Sequence, residues 1–174
     1  FEHELNEYKS VQVTRIVHDF YDSDPKRGFY GGGGFDSRIS LNPIGWALFA
    51  PPASRAWGAE FKALIEAMPR AMVVATHGTS LPLDSNRIDL DPELKDAWGM
   101  PAMRVTYKDH PDDLKFAAFL QDRGLEVMQA AGAQQAWKAP ITDATGSPHL
   151  LGTCRMGNDP ATSVVDRYHR THDV

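Results

Sequence analysis

Val11-Gln12-Val13-Thr14-Arg15-Ile16-Val17 alternates apolar and polar side chains and is rich in β-branched residues. That pattern predicts a half-buried strand. Asp36 to Leu41 predicts a second, short strand, and Ala71 to His77 a buried one. Ile88-Asp89-Leu90-Asp91-Pro92 and Met103-Arg104-Val105-Thr106-Tyr107 alternate again, on either side of the turn residues Asp96 to Pro101. Two stretches change to a helical period. In the first, Arg55 to Met68, the residues Trp57, Phe61, Leu64, Ile65 and Met68 are expected to face the core, with Ser54 as N-cap and Pro69 as the stop. In the second, Leu114 to about Ala131, the expected inward positions are Leu114, Ala117, Leu120, Leu125 and Met128. His110-Pro111-Asp112-Asp113 puts carboxylates where the positive end of a helix dipole favours them, and Gly132 is placed to close the helix. Pro43 to Pro52 reads as an apolar loop, with Trp46 and Phe49 as core or pocket-lining residues. Strands and helices do not alternate as a βαβ series. The expected class is therefore α+β, an antiparallel sheet covered on one side by helices.

Composition narrows the partners. A net charge of −5 with no Lys/Arg cluster argues against a nucleic-acid surface. No apolar run approaches the length of a membrane span. The single cysteine, Cys154, rules out an internal disulfide and says little about the compartment. The chain starts at Phe1 without a signal-peptide pattern and stops at Val174 without a cap or polar tail. An internal piece of a longer protein is the expectation.

Two stretches offer chemistry. Gly31 to Gly34 suggests a phosphate cradle, but the third glycine of a dinucleotide fingerprint starting at Gly31 would fall on Asp36, and no helix opens behind it. A flexible or close-packed loop is the alternative. The stretch Ser147 to Pro160 sets His149 after Pro148, with Gly152 and Gly157 allowing sharp bends behind it. A base held still beside a flat cofactor would suit this arrangement, and so would a turn with a satisfied histidine. A metal site from His149, Cys154, His169 and His172 lacks a ligand frame, although the last two histidines could share a helix face. A Cys154 nucleophile with His149 as base has nothing to lower the thiol pKa. His77 reads as structural.

SPHLLGTCRMG (147–157), NDPATSVVD (158–166) and RTHDV (170–174), in that order, resemble the C-terminal region of the glucose–methanol–choline (GMC) flavoprotein oxidoreductases. SNRIDLDPELKDAWGMPAMRVTY (85–107) resembles a sheet segment of that family's substrate domain. The resemblance is greatest to bacterial sugar or alcohol dehydrogenases. It implies a substrate-binding domain over 1–146, and over 147–174 the active-site stretch with an incomplete return into a Rossmann-like FAD domain. It implies FAD as cofactor and a small alcohol, sugar or sugar acid as substrate. A protein or quinone would be the electron acceptor. By the same resemblance, His149 is the catalytic base, Ser147 and Leu150 lie near the flavin, and Asp166 and Arg170 order the turn after the motif. A second catalytic His or Asn is expected beyond Val174. An imidazole suits the role because its unperturbed pKa of about 6.5 lets it accept a proton near neutral pH. The chain alone is expected not to turn over. The competing reading is a non-catalytic binding or structural module without a cofactor site of its own.

Overall fold

The computed structural model describes residues 1–5, 13–38, 42–48, 51, 55–141 and 152–173. The elements in chain order are β1 (Val13–Val17), β2 (Gly33–Arg38), α1 (Pro43–Leu48), α2 (Gly58–Glu66), β3 (Val73–Gly78), β4 (Arg87–Lys95), β5 (Pro101–Thr106) and α3 (Pro111–Ala130). They fall into two compact units. One comprises 1–83 and 108–143, the other 84–107 and 144–174.

The first unit is a three-stranded antiparallel sheet, order β1-β2-β3, with α3 packed on one face. Side chains alternate across a strand, so Phe35 and Asp36 point to opposite faces. Phe35 faces the helix and is buried with Phe116 and Leu120. Val17, Phe20, Phe29, Val74 and Phe119 pack around them. The aromatic rings meet both edge-on, as in Phe20–Phe119 at 5.1 Å between centroids, and stacked, as in Phe116–Phe119 at 6.2 Å. The expected inward residues of α3 all turn out buried or half-buried. Phe116 and Gly124 are also buried, and Gly124 is where Val74 approaches the helix.

Both ends of α3 are closed by local chemistry. His110 Nδ1 accepts from Asp112 N (3.0 Å), and the Asp113 carboxylate accepts from His110 N (3.3 Å), a reciprocal capping box. At the far end Gly132 has φ +86, Gly132 N donates to Gln129 O and Ala133 N donates to Met128 O, which is a Schellman stop. Asp113 also accepts from Leu81 N, so the cap anchors the loop after β3. Burial nevertheless pushes its carboxyl above the ordinary value.

Four expectations change in this unit. Pro43 to Leu48 is a short helix, not an apolar loop, because Asn42 Oδ1 accepts from Gly45 N (2.7 Å) and Pro43 occupies the first turn. Trp57 is 70 % exposed rather than inward, because α2 begins after it and Trp57 is the N-cap residue. Gly33 and Gly34 are not loop but the first residues of β2. The strand predicted as buried over 71–77 runs from Val73 to Gly78 and is half-buried, since α3 covers one face only. Ser54, Phe49, Ser40 and Leu41 lie outside the described residues.

The second unit contains the hairpin β4–β5 and residues 152–173. The hairpin turns where predicted. Asp96 Oδ1 accepts from Trp98 N and Met100 N, and Gly99 takes φ +83. Pro92, which cannot donate to a ladder, sits where the pairing is irregular between Leu90 and Lys95. Asp91 Oδ1 there accepts from Glu93 N and Leu94 N. One face of the hairpin is apolar, with the pairs Ile88–Val105 and Leu90–Met103, all exposed. The other face carries Asp89 between Arg104 and Arg87. These two guanidiniums, Arg104 foremost, hold the Asp89 carboxyl down at about 2.

Candidate functional site

Ser147, His149 and Leu150, the residues singled out by sequence, lie outside the described residues, and so does Thr145-Gly146 before them. The chain re-enters at Gly152, with φ +102, and continues through Thr153 with φ +58. Cys154 N donates to Gly152 O (2.7 Å), which makes a tight bend, and the Cys154 side chain is exposed. Cys154 is in a bend rather than at a helix N-terminus.

Beyond this bend, residues 155–173 form a knot of short contacts. Met156 bridges Val165, and Val165 bridges Thr171. Val165 is buried at their crossing. Arg155 O accepts from Val164 N and Val165 N, and Gly157 N donates to Val165 O. A Cβ on Gly157 would stand 2.8 Å from Ser163 Cβ, so only glycine fits there. Asp166 orders the last turn as expected. Its carboxylate accepts from Tyr168 N (2.8 Å) and Arg170 N (3.0 Å), and its own N donates to Arg170 O (2.8 Å). His169 has φ +63 and His172 is bonded through Nε2 to Ser163 Oγ (2.9 Å). The two histidines share no helix face, because this stretch is bends and bridges. Arg155 pairs with Asp84 (3.2 Å) on the surface of the same unit.

The four-glycine run resolves as close packing. Cβ atoms on Gly32, Gly33 and Gly34 would fall 1.8, 2.0 and 2.1 Å from the carbonyl oxygens of Tyr21, His77 and Val17. Protein backbone fills the space that a phosphate would need. The run feeds an antiparallel strand and no helix opens behind it. These residues do not fit a flavin dinucleotide, and none of the other described residues forms a strand–glycine turn–helix cradle.

On the sheet face opposite α3 sits a charged cluster that the sequence did not reveal. Asp36 is only 4 % exposed. Arg38 grips its carboxylate with Nε on Oδ1 (2.6 Å) and a terminal nitrogen on Oδ2 (3.0 Å). His77 Nε2 bonds to Oδ2 from the neighbouring strand. Nε2 also lies 3.1 Å from the terminal nitrogen of Arg38, so the three side chains form one closed cluster. Arg38 foremost, and His77 after it, hold the Asp36 carboxyl below the usual carboxylate range, against the opposing effect of burial. The same contact raises the Arg38 guanidinium. His77 is structural as expected, in that it ties β3 to β2. The signal available in sequence was the spacing of Asp36 and Arg38 about Ser37 on one strand face. The third member is 41 residues away and becomes a neighbour only through the β2–β3 register.

Arg38 also lines a cavity of about 910 Å³ in the same unit. Its walls include Trp46, Phe61 and Leu64, and Leu125 and Met128 of α3. Trp46 is both core and wall. It is buried, its Nε1 donates to Leu64 O (2.7 Å), and its ring meets Trp137 at 5.7 Å.

The sequence profile of the family described as GMC oxidoreductase matches residues 82–174, more than half of the chain. The chain belongs to this family. The GMC match begins just before β4 and takes in the hairpin, α3 and the bridged C-terminal segment. Among curated GMC relatives, the chain is 35 % identical over 159 residues to the 2-methyl-1,2-propanediol dehydrogenase of Mycolicibacterium austroafricanum. That alignment covers 90 % of this chain and 29 % of the relative. It is 30 % identical over 173 residues to the gluconate 2-dehydrogenase flavoprotein of Pantoea cypripedii, covering 94 % and 28 %. It is 38 % identical over 93 residues to the fructose dehydrogenase large subunit of Gluconobacter japonicus, covering 53 % and 17 %. The chain thus spans less than a third of the length of each of these relatives. The α+β class agrees with the GMC C-terminal region: antiparallel sheets and a few helices. No helix among the described residues is long and apolar enough to cross a membrane.

Proposed function

We propose that this chain is the substrate-domain part of an FAD-dependent enzyme that oxidises a CH–OH group of an alcohol, sugar or sugar acid, with His149 as its base. The observation that carries this reading is the family match over 82–174, which includes the His149 stretch, joined to relatives named as dehydrogenases. FAD, when bound, supplies the acceptor for the hydride. The chain's own part is to present the alcohol and to take its hydroxyl proton on the His149 imidazole, whose ordinary pKa suits a base near neutral pH. In sequence, Pro148 precedes the histidine and Gly152, with φ +102, follows it by three residues. Ser147 and Leu150 match family positions near the flavin, residues 1–146 are assigned to the substrate-binding domain, and 147–174 to the active-site stretch and the return towards the flavin-binding domain. A protein or a quinone reoxidises the flavin. Because the chain covers under a third of the relatives' length, the 174 residues alone are predicted not to turn over.

The test is His149→Ala in the full-length enzyme, with flavin content read by absorbance and turnover by an artificial electron acceptor. The reading expects flavin retained and a rate lowered by at least a hundredfold, in the range for loss of a general base. Turnover equal to wild type removes His149 from the mechanism.

A further inference from the structure

We propose that the cavity of about 910 Å³ in the first unit is a binding site for a fatty carboxylate, an apolar chain ending in one carboxylate, with Arg70 holding the head group. The proposal stands on this unit alone and does not depend on the alcohol-oxidising reading. The volume is that of a small-ligand site. α2 contributes Phe61 and Leu64 to its walls, α3 contributes Leu125 and Met128, and β3 contributes Val74. All five are half-buried, so the cavity leaves apolar surface of both helices uncovered. A ligand that displaces water from such walls gains in proportion to the apolar area it covers.

Charge decides the other end of the ligand. The charged residues of the lining are Arg38, Arg55, Arg70 and Lys138 against Glu60 alone. In a chain of net charge −5 this is a local reversal of sign, and it favours an anion. Two of the four cations are already matched, Arg38 by Asp36 and Lys138 by Asp122 (2.7 Å). Arg55 lies with its guanidinium over the Trp57 ring (5.7 Å), just before the first turn of α2, which carries Glu60. Arg70 is beyond the other end of α2, in the tight turn Met68–Arg70. That turn is held by Arg70 N donating to Ala67 O (2.9 Å) and Ala71 N to Met68 O (3.0 Å). Among the described residues no carboxylate pairs with the Arg70 guanidinium. Glu66, four residues earlier, pairs with Lys62 instead (3.7 Å). Arg70 is therefore an exposed, unmatched cation on the wall of an apolar space. Its planar fork fits the two oxygens of a carboxylate. One ligand with an apolar chain and one carboxylate answers both the walls and the charge. A mere gap between helices would accept an apolar chain whatever its charge, and the test turns on that difference.

The experiment titrates the full-length protein with sodium decanoate by isothermal calorimetry, below the concentration at which decanoate forms micelles. The expected result is one saturable site per chain. Decyltrimethylammonium, the same chain with the opposite charge, is expected to bind at least about tenfold more weakly. Hexanoate, four methylenes shorter, is expected to bind roughly a hundredfold more weakly. Arg70→Glu is expected to weaken decanoate by about tenfold or more, and Arg70→Lys by about threefold at most. Lys26→Glu, the same charge change in the turn before β2, is expected to leave the affinity within about twofold. Met128→Glu places a carboxylate in the apolar wall and is expected to abolish binding. Arg70 is exposed, so its variants decide the question should Met128→Glu fail to fold. No saturable binding, equal affinity for the ammonium, or an Arg70→Glu variant as tight as wild type overturns the proposal. So does a dimer in sedimentation that Met128→Glu splits, since a second copy of the chain then covers the cavity.

Discussion

Gly34→Ala separates packing from every other explanation of the glycine run. An added Cβ would sit 2.1 Å from Val17 O. Ordinary carbon–oxygen contact is about 3.3 Å, so roughly 1.2 Å must be found, and Val17 O belongs to strand backbone rather than to a flexible side chain. The relief available is to push β1 away from β2. β1 is held by pairing from Val13–Arg38 to Val17–Phe35, and Val17 packs on the Phe35 cluster. Losing the last ladder bonds at about 1 kcal/mol each, with part of the Val17 burial at about 1–2 kcal/mol, predicts a cost of about 3–4 kcal/mol. Gly28→Ala is the control. Nothing lies within 4 Å of its Cβ, and its only penalty is φ +73, worth about 1–2 kcal/mol. Urea unfolding monitored by tryptophan fluorescence, with Trp46 buried as reporter, measures both. If Gly34→Ala costs no more than Gly28→Ala, the close-packing account is wrong and the run is free for another use.

The same contacts predict other outcomes. Leu120→Ala, at 0 % exposure between Phe35 and Phe116, is expected to lose about 2–5 kcal/mol in the same urea assay. Asp113→Ala removes the acceptor for both His110 N and Leu81 N and should cost about 1–2 kcal/mol, with amide exchange speeding first at the start of α3. For pH, the folded Asp36 carboxyl titrates below its ordinary value of 3.8, so the unfolded chain binds more protons across that window and stability rises with pH there. The Asp36 contribution is present above the ordinary value and is lost as pH falls through the folded one. Thermal midpoints should therefore favour wild type over Asp36→Asn at pH 5, and that advantage should shrink as the pH approaches 2. A gap that widens on acidification contradicts the sign.

What could be read from sequence was what is written locally. α3 announces both its ends within a few residues, by His110 to Asp113 and by Gly132, and the β4–β5 hairpin announces its turn by Asp96 and Gly99. α1 was equally local, in Asn42-Pro43, but the apolar residues after it carry no helical period to support the cap. Trp57 matched the helical period and still failed, because periodicity does not say where the first turn begins. The cluster on the sheet face opposite α3 was illegible for a different reason. Asp36 and His77 meet only once β2 and β3 have chosen a register, and single residues carry no record of that choice. His149 was reached by family resemblance alone, and its surroundings lie outside the described residues.

The sealed ends of α3 also bear on the order in which the molecule assembles. A helix of 20 residues whose start and stop are both encoded within its own neighbourhood can close early, since few chain segments have to find one another first. The sheet is the opposite case. β1 must find β2 some 20 residues away, and β2 must find β3 across a segment that includes α1 and α2. α3 comes after β3 in sequence, yet it supplies two of the three buried side chains of the core, Phe116 and Leu120. During synthesis, then, the strands leave the ribosome before the surface that unites them exists. They remain unpaired, or pair loosely, until α3 emerges and offers its aromatic stripe. Pulse-labelled amide exchange during refolding should find α3 protected before the β2–β3 ladder. A nascent chain stopped before Pro111 should remain open to proteolysis along β1, β2 and β3.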